Sequence, residues 1–463
     1  MTAAGNPRVL HGAPDHCALP NTPLAHARDG LDKCVHCGFC LQACPTYVVL
    51  EDENDSPRGR LLLMRELLEG TLQTGDEAVR GHLDRCLGCR ACETVCPSGV
   101  PYGHLLEATR ATLTERHPLP LGARLLLGVF ARRWLTTLVM AGGRIMRALR
   151  IAPLLARILP GRFGFALRML DSTRLPLSRA RYAAPASGAR GSYAMLEGCV
   201  MRGLYAHTNA ATRRTLQVNG YRQTRAPGQG CCGALHAHAG DLDTARRLAR
   251  RNVEAFERAG ADFVVANAAG CGAMMKEYGL LLEGDPEWAQ RAARVGARVR
   301  DVSELLADAG PAEGAPLDAT ITYDAPCHLL HAQRISAAPL KVLAAIPGAK
   351  FVPLEGAEYC CGAAGIYNLL EPDTSAAVLA PKLDNIEQTA AAYVTTGNPG
   401  CLMQIGAGLS VAGSEARVIH PVDLLDASYA VRFAGTTTTA GTGNGEQGQL
   451  RLREPGTGKR EQG

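Results

Sequence analysis

Two cysteine runs constrain this chain more than any other feature. The first reads Cys34-Val-His-Cys37-Gly-Phe-Cys40-Leu-Gln-Ala-Cys44-Pro45, and the second Cys86-Leu-Gly-Cys89-Arg-Ala-Cys92-Glu-Thr-Val-Cys96-Pro97. Both follow C-x-x-C-x-x-C-x-x-x-C-P, the run that holds iron–sulfur clusters in two-cluster ferredoxins. Three thiolates at that spacing wrap three corners of an Fe4S4 cube from one tight loop. The fourth cysteine, ahead of proline, points away and ligates the other cube. The expected assignment is therefore crossed: Cys34, Cys37, Cys40 and Cys96 on one cluster, and Cys86, Cys89, Cys92 and Cys44 on the other. Zinc also uses C-x-x-C pairs. It needs four ligands per site, however, and gains nothing from a third cysteine at the same spacing followed by Cys-Pro. Two 4Fe-4S clusters, and hence electron transfer, are the expectation.

The length of 463 residues suggests about three domains. Seventeen cysteines without a secretory leader point to a reducing compartment, where cysteines bind metal or do redox chemistry. The first fifteen residues hold no apolar core of a signal peptide. No stretch of about 18 uncharged apolar residues occurs, so no transmembrane helix is expected. The expected location is cytoplasmic, or peripheral on the inner face of the cell membrane. Net charge is +5, but between Pro118 and Arg190 there are 13 arginines and one acid, Asp171, a local balance of +12 that leaves −7 elsewhere. That distribution argues against a nucleic-acid binder and for one basic face with a specific task.

The chain reads as α+β and multi-domain: an N-terminal α-helical ferredoxin followed by a duplicated α/β cysteine-rich domain. Residues 1–30 read as a loose lead-in, with Cys17 as a free thiol outside both runs. The ferredoxin unit spans 31–117. Its runs are separated by a long insert in which Ser56-Pro-Arg-Gly-Arg60 leads into Leu61, Leu62, Met64, Leu67 and Leu68, an amphipathic helix. A second helix from Glu77 to Leu83 delivers the chain to Cys86. Arg58 and Arg60 either only open the helix or neutralise cluster charge and dock a partner. Residues 118–190 form a basic, leucine-rich helical connector that Pro153, Pro160, Gly161 and Gly164 should break. Its amphipathic character suits an anionic membrane, a partner subunit or its own domain equally. The tail, 434–463, is rich in Gly and Thr and reads as disordered.

Between these lies a duplication, with repeats at 191–310 and 311–433. Cys199 and Cys327 end strand-like runs; Cys231-Cys232-Gly233 is matched by Cys360-Cys361-Gly362; Cys271 is matched by Cys401. The offsets are 128 (Cys199 to Cys327), 129 (Cys231 to Cys360) and 130 (Cys271 to Cys401), a nearly constant register. Helices are expected over 243–259, 329–345 and 374–392. In an α/β sheet the strand ends converge on one edge, so four thiols per repeat can meet there. These eight cysteines are candidates for a further metal or iron–sulfur site. At the positions where a C-x-x-C would continue, the chain has Met274 and Gln404, neither a good cluster ligand. His236, His238, His328 and His331 flank the cysteines and read as ordinary structural histidines or local ligands.

Two ferredoxin runs followed by two C…CCG…C repeats resemble the iron–sulfur subunits of membrane-associated dehydrogenases and heterodisulfide reductases. Within that group the strings Pro57-Arg-Gly-Arg60, His82-Leu-Asp-Arg-Cys-Leu-Gly-Cys89, Met195-Leu-Glu-Gly-Cys199, Gly230-Cys-Cys-Gly-Ala234 and Cys360-Cys-Gly-Ala-Ala-Gly365 are most similar to the glycolate oxidase (glycolate dehydrogenase) iron–sulfur subunits. The resemblance implies a multi-subunit enzyme oxidising glycolate to glyoxylate. Flavin-containing subunits with FAD would take the hydride, and this chain would carry electrons towards a quinone or other membrane acceptor without binding the substrate. No G-x-G-x-x-G follows a strand, in keeping with a flavin held by the partners. Shared motifs leave lactate or glycerol-3-phosphate dehydrogenase subunits, and heterodisulfide-type thiol chemistry, as alternatives.

Overall fold

The computed structural model describes residues 17–173, 177, 182 and 188–434. Most of the expected lead-in and nearly all of the expected tail fall outside them. Residues 17–31 are more ordered than a loose lead-in: Leu19, Leu24, Ala27 and Leu31 are buried in the ferredoxin core.

The ferredoxin insert folds as its sequence directs. Ser56 caps the Pro57–Glu69 helix by accepting from the Gly59 amide at 2.9 Å, Pro57 occupies the first turn, and Gly70 closes the helix in the left-handed region. Gly59 is obligatory because a Cβ there would lie 2.0 Å from the Glu53 carbonyl oxygen. The buried stripe of Leu61, Met64, Leu67 and Leu68 packs with Val79 and Leu83 of the Glu77–Asp84 helix. Leu105 and Leu106 of the Tyr102–Arg116 helix complete that core. All the cysteines of both runs lie on the loops and short turns around this helical frame.

The connector forms four helices: Leu121–Ala131, Arg133–Ala148, Ile151–Ile158 and Gly161–Ser172. Two expected breakers do not break. Pro153 lies in the first turn of its helix, where a missing N–H costs little, and the interruption falls instead at left-handed Arg150. Gly164 lies inside the last helix, where it lets the chain pass the Leu159 carbonyl.

Each repeat builds a four-stranded, wholly parallel sheet. Strands β1 (Ser192–Met195), β2 (Arg222–Thr224), β3 (Phe263–Ala266) and β4 (Val299–Asp301) are ordered β2-β1-β3-β4. Strands β5 (Ala319–Tyr323), β6 (Ala349–Phe351), β7 (Tyr393–Thr395) and β8 (Arg417–Ile419) are ordered β6-β5-β7-β8. One topology used twice is the duplication in three dimensions. Of the expected helices, the first is Leu242–Ala259 and the third is Pro372–Gln388. The second is split: a π turn, His328–Ala332, follows Cys327, and a regular helix resumes only at Ala337–Ala344. Between them Arg334 has φ +57°, a conformation that ends a helix.

The repeats are interlocked. The closing helix of repeat 1, Val302–Ala309, packs on the Ala337–Ala344 helix of repeat 2. The closing helix of repeat 2, Pro421–Arg432, packs on the Ala206–Val218 helix of repeat 1. Val302, Leu305 and Leu306 share one apolar core with Val422, Leu425 and Tyr429. Thr208 donates to Asp423 at 2.7 Å and Arg214 pairs with Asp426 at 2.6 Å across the same junction.

Candidate iron–sulfur centres

The ferredoxin cysteines fall into two sets of different exposure. Cys44, Cys86, Cys89 and Cys92 are all buried. Burial pushes the Cys92 thiol up, and the neighbouring sulfurs of Cys89, Cys86 and Cys44 add to the rise. Cys34, Cys37, Cys40 and Cys96 line one small cavity together with Cys92, Leu61 and Tyr102. Burial raises the Cys40 thiol to about 11, while Cys37 is exposed between Val35 and Phe39, each 69% accessible. Cys44 thus shares the burial of the second run's first three cysteines, and Cys96 lines the cavity of the first run's three alongside Cys92 of its own run.

Arg60 stands behind the buried set. Its side chain is fully buried, pairing with Asp55 at 2.9 Å and donating to the His82 carbonyl at 2.6 Å and Thr46 Oγ1 at 3.0 Å. Nη1 also lies 4.0 Å from Cys44 Sγ. Burial opposes the charge, yet Cys86, Tyr102, Cys44 and Asp55 together hold its pKa above the ordinary value. Arg58 instead lies beside the first run, paired with Glu53 at 2.6 Å and 3.5 Å from the His36 carbonyl. Arg60 thus stands beside the buried set, and Arg58 beside the exposed one, where it lines the cavity of Cys34, Cys37 and Cys40.

In the repeats the sheet edge does gather four thiols. Cys199 follows β1 and Cys271 lies in the Ala269–Lys276 helix after β3, the two strands whose connections diverge, and such a switch point opens a crevice at the carboxyl ends. Sulfur contacts chain Cys199 to Cys231, Cys231 to Cys232, and Cys232 to Cys271, the last at 3.2 Å. The second repeat shows the same chain from Cys327 through Cys360 and Cys361 to Cys401. Gly362 (φ +80°) turns its amide onto Cys360 Sγ at 3.4 Å, and a Cβ there would meet the Ser375 carbonyl at 2.6 Å. Donation of their own hydrogens to neighbouring sulfurs, and burial, push the thiols of Cys199, Cys360 and Cys401 upward.

The sets adjoin one another in a definite order. Cys89 and Cys360 share a buried apolar cluster with Leu87, Tyr367 and Val378, and Tyr367 donates to the Arg85 carbonyl at 2.8 Å. Repeat 2 thus meets the buried ferredoxin set directly. It meets repeat 1 through Asn398, whose Oδ1 accepts from the Gly270 amide at 3.3 Å while its Nδ2 donates to Cys401 Sγ at 3.5 Å. Repeat 1 in turn lies under the connector, where Phe130, Arg133 and Thr136 line a small cavity with Cys199 and Cys231.

Met274 and Gln404 have structural partners. Met274 is buried in the apolar core of repeat 1. Gln404 accepts from Asn368 at 2.8 Å and donates to Ser375 at 2.9 Å. Three of the histidines bond across segments, His236 to the Leu127 carbonyl, His238 to Glu107 and His331 to Thr94, while His328 meets its chain neighbour Cys327 Sγ at 3.4 Å. Burial drives His328 down to about 3, so it is neutral. A buried ion pair, Lys382 with Asp324, lies behind the repeat-2 sulfurs, where both charges act on Cys361 and Cys401. Its counterparts by the repeat register are Leu196 and Asn252, both buried in repeat 1, where Asn252 donates to the Cys231 carbonyl at 2.9 Å.

The donor sets fit iron–sulfur clusters better than single ions. Soft, clustered thiolates suit zinc or iron–sulfur centres, but tetrahedral zinc draws its sulfurs to about 3.8 Å from one another, given Zn–S of about 2.3 Å. Among the described residues the one group of three ligand atoms all within 4.8 Å is Asp52, Asp55 and His82. Asp55 there is already neutralised by Arg60 and Arg85. Among the described residues no three cysteine sulfurs all lie within 4.8 Å of one another.

Comparison with known families agrees. A 4Fe-4S dicluster domain matches residues 30–100, and a cysteine-rich domain matches twice, at 193–276 and 321–406. The probable glycolate oxidase iron–sulfur subunit of Bacillus subtilis is 36% identical over 420 residues, covering 85% of this chain and 93% of the relative. The glycolate oxidase iron–sulfur subunit of Escherichia coli is 36% identical over 389 residues, covering 82% and 91%. Lactate utilization protein A of Geobacillus kaustophilus is 32% identical over 231 residues, half of this chain and 96% of the relative. With its dicluster domain, its paired cysteine-rich domains and that coverage, the chain belongs to the family of glycolate oxidase iron–sulfur subunits.

Proposed function

We propose that this chain is the electron-carrying subunit of a complex that oxidises glycolate to glyoxylate, passing electrons from flavin subunits to a quinone or other membrane acceptor. In this scheme Cys34, Cys37, Cys40 and Cys96 hold one 4Fe-4S cluster, and Cys86, Cys89, Cys92 and Cys44 hold the other. The cysteine tetrads of the repeats hold further iron–sulfur centres. The clusters supply one-electron steps that divide the electron pair released by a flavin. What the chain itself provides is position and electrostatics: Arg60 beside the buried set, and continuous packing from that set through repeat 2 to repeat 1. The unbroken order of sulfur sets, with Cys89 against Cys360 and Asn398 between Cys401 and Gly270, is the observation that carries this function. The exposed loop around Cys37 and Phe39 suits entry of electrons from the flavoprotein. FAD belongs to the partners, the complex works at the inner face of the cell membrane, and substrate chemistry takes place outside this chain.

Iron and acid-labile sulfide analysis, with EPR after dithionite reduction, tests the assignment. Two 4Fe-4S signals are expected at least, and Cys96→Ser should abolish the one shared with Cys34, Cys37 and Cys40. Zinc without sulfide, or loss of the Cys86 cluster in that variant, would overturn it. The relatives named for lactate utilization favour a second reading, in which the 2-hydroxy acid is lactate. Substrate-dependent reduction of the purified complex separates the two.

A further inference from the structure

The connector is built inside out. In the Arg133–Ala148 helix and its cap, Thr136, Met140, Gly143 and Arg147 share one side of the helix. That side is seated: Met140 packs on Met201 and Leu204 of repeat 1, Gly143 abuts Leu170, and Arg147 bonds to Thr173. Trp134, Leu138, Ile145 and Leu149 lie on the opposite side, within about 60° of one another around the axis. They are 67%, 64%, 59% and 65% exposed. The neighbouring helices repeat the construction. Ala123 and Leu127 face inward while Leu121 and Leu125 face solvent; Ala152 and Ala156 face inward while Ile151, Leu154 and Ile158 face solvent. Small or anchored residues are inside and the bulky apolar ones outside, the reverse of what a water-facing helix shows.

What covers this face follows from its charge and shape. Arg124, Arg132, Arg133, Arg144, Arg150, Arg157 and Arg162 are exposed around the apolar stripes, and the one acid in the connector is Asp171. No single described helix is long and apolar enough to cross a membrane. The first two helices, of 11 and 16 residues, span about 16 and 24 Å against about 30 Å of hydrocarbon. They also meet at 103°. Helices of this kind lie in the plane of an interface, with apolar side chains among acyl chains, arginines at anionic headgroups and tryptophan at the boundary. We infer that helices 121–158, extended by Phe163, form a docking surface for an anionic lipid bilayer. The inference deepens the proposed delivery to a membrane acceptor. The corner where the first two helices meet also covers Cys199 and Cys231, so docking sets the repeat-1 sulfurs at the lipid side of the molecule.

The test is flotation of the cluster-loaded full chain, and of its complex, with phosphatidylcholine vesicles that contain or lack phosphatidylglycerol. The protein should float with the anionic vesicles and be released partly by salt. Leu138→Asp with Ile145→Asp should lower the partition coefficient roughly tenfold or more, as expected for apolar side chains withheld from lipid. Arg144→Glu with Arg150→Glu should weaken binding to anionic vesicles while leaving the iron content unchanged. Sedimentation away from both vesicle types, or equal flotation of wild type and both variants, would overturn the inference. So would loss of the flavin subunits from the Asp variant when the wild type does not float, since the face would then be a subunit interface. Cluster reduction by glycolate in vesicle-free solution is read separately, so failure of lipid docking and failure of the proposed function are distinguishable.

Discussion

At Arg60 a full positive charge is held out of water, within reach of Asp55, Thr46 and the Cys44 sulfur. A buried cation beside a cluster stabilises its more negative, reduced form. Arg60→Met should therefore lower the reduction potential of the cluster shared by Cys86, Cys89, Cys92 and Cys44, on the order of tens of millivolts. It should also cost about 1–3 kcal/mol, because Asp55, though still paired with Arg85, loses a buried hydrogen-bond partner. Potentiometric EPR titration checks the first effect and chemical denaturation the second; an unchanged potential would mean that Arg60 is only structural. The sequence placed Arg60 at a helix start, and two roles fitted equally. What separated them was the fold of residues 44–60, which brings Cys44 and Asp55 onto one guanidinium. No local pattern announces such a convergence.

Among elements, the comparison of the two repeats is the most informative. Their sheets share one strand order, and the duplication behind it, though not the order itself, was legible because the cysteine register is nearly constant. The difference between them was not legible from the register alone. Behind the repeat-2 cysteines the β5 edge and the Pro372–Gln388 helix contribute Asp324 and Lys382, where repeat 1 has Leu196 and Asn252. Removing one charge should be costly and replacing both should not. Lys382→Met is expected to destabilise by about 3–5 kcal/mol, whereas Asp324→Leu with Lys382→Met should recover most of that loss. Equal destabilisation of the single and double variants in urea unfolding would refute this. The closing helix of repeat 2 supplies a pH-dependent element. His420 at its cap accepts from the Val422 amide through Nδ1 and meets the Asn267 carbonyl through Nε2, which fixes the neutral Nε2–H form. Burial holds its pKa at about 4. The unfolded chain takes up the proton first, so stability is lost as pH falls from about 6.5 towards 4, by up to about 3 kcal/mol. His420→Gln should flatten that part of the stability–pH curve relative to wild type; an unchanged slope would contradict the account. The split of the expected helix after Cys327 belongs to the same scale. Residues 329–345 have helical composition throughout, but the chain bends to seat Leu329 against Ala269 of repeat 1, a tertiary demand that outweighs propensity.

For the molecule as a whole, four cysteine sets stand in one sequence from an exposed ferredoxin loop to a connector with an outward apolar face. Each set is visible in the amino-acid string, whereas their spatial order depends on contacts such as Cys89 with Cys360 that join residues hundreds of positions apart. In the proposed function this arrangement moves electrons and leaves bond-making at carbon to partner subunits. The direct test is rapid-freeze EPR of the purified complex mixed with glycolate, lactate or glycerol-3-phosphate and no other reductant. Glycolate should reduce the 4Fe-4S signals of this chain within the time of one turnover, faster than the other two. Clusters that dithionite reduces but glycolate leaves oxidised would contradict the account.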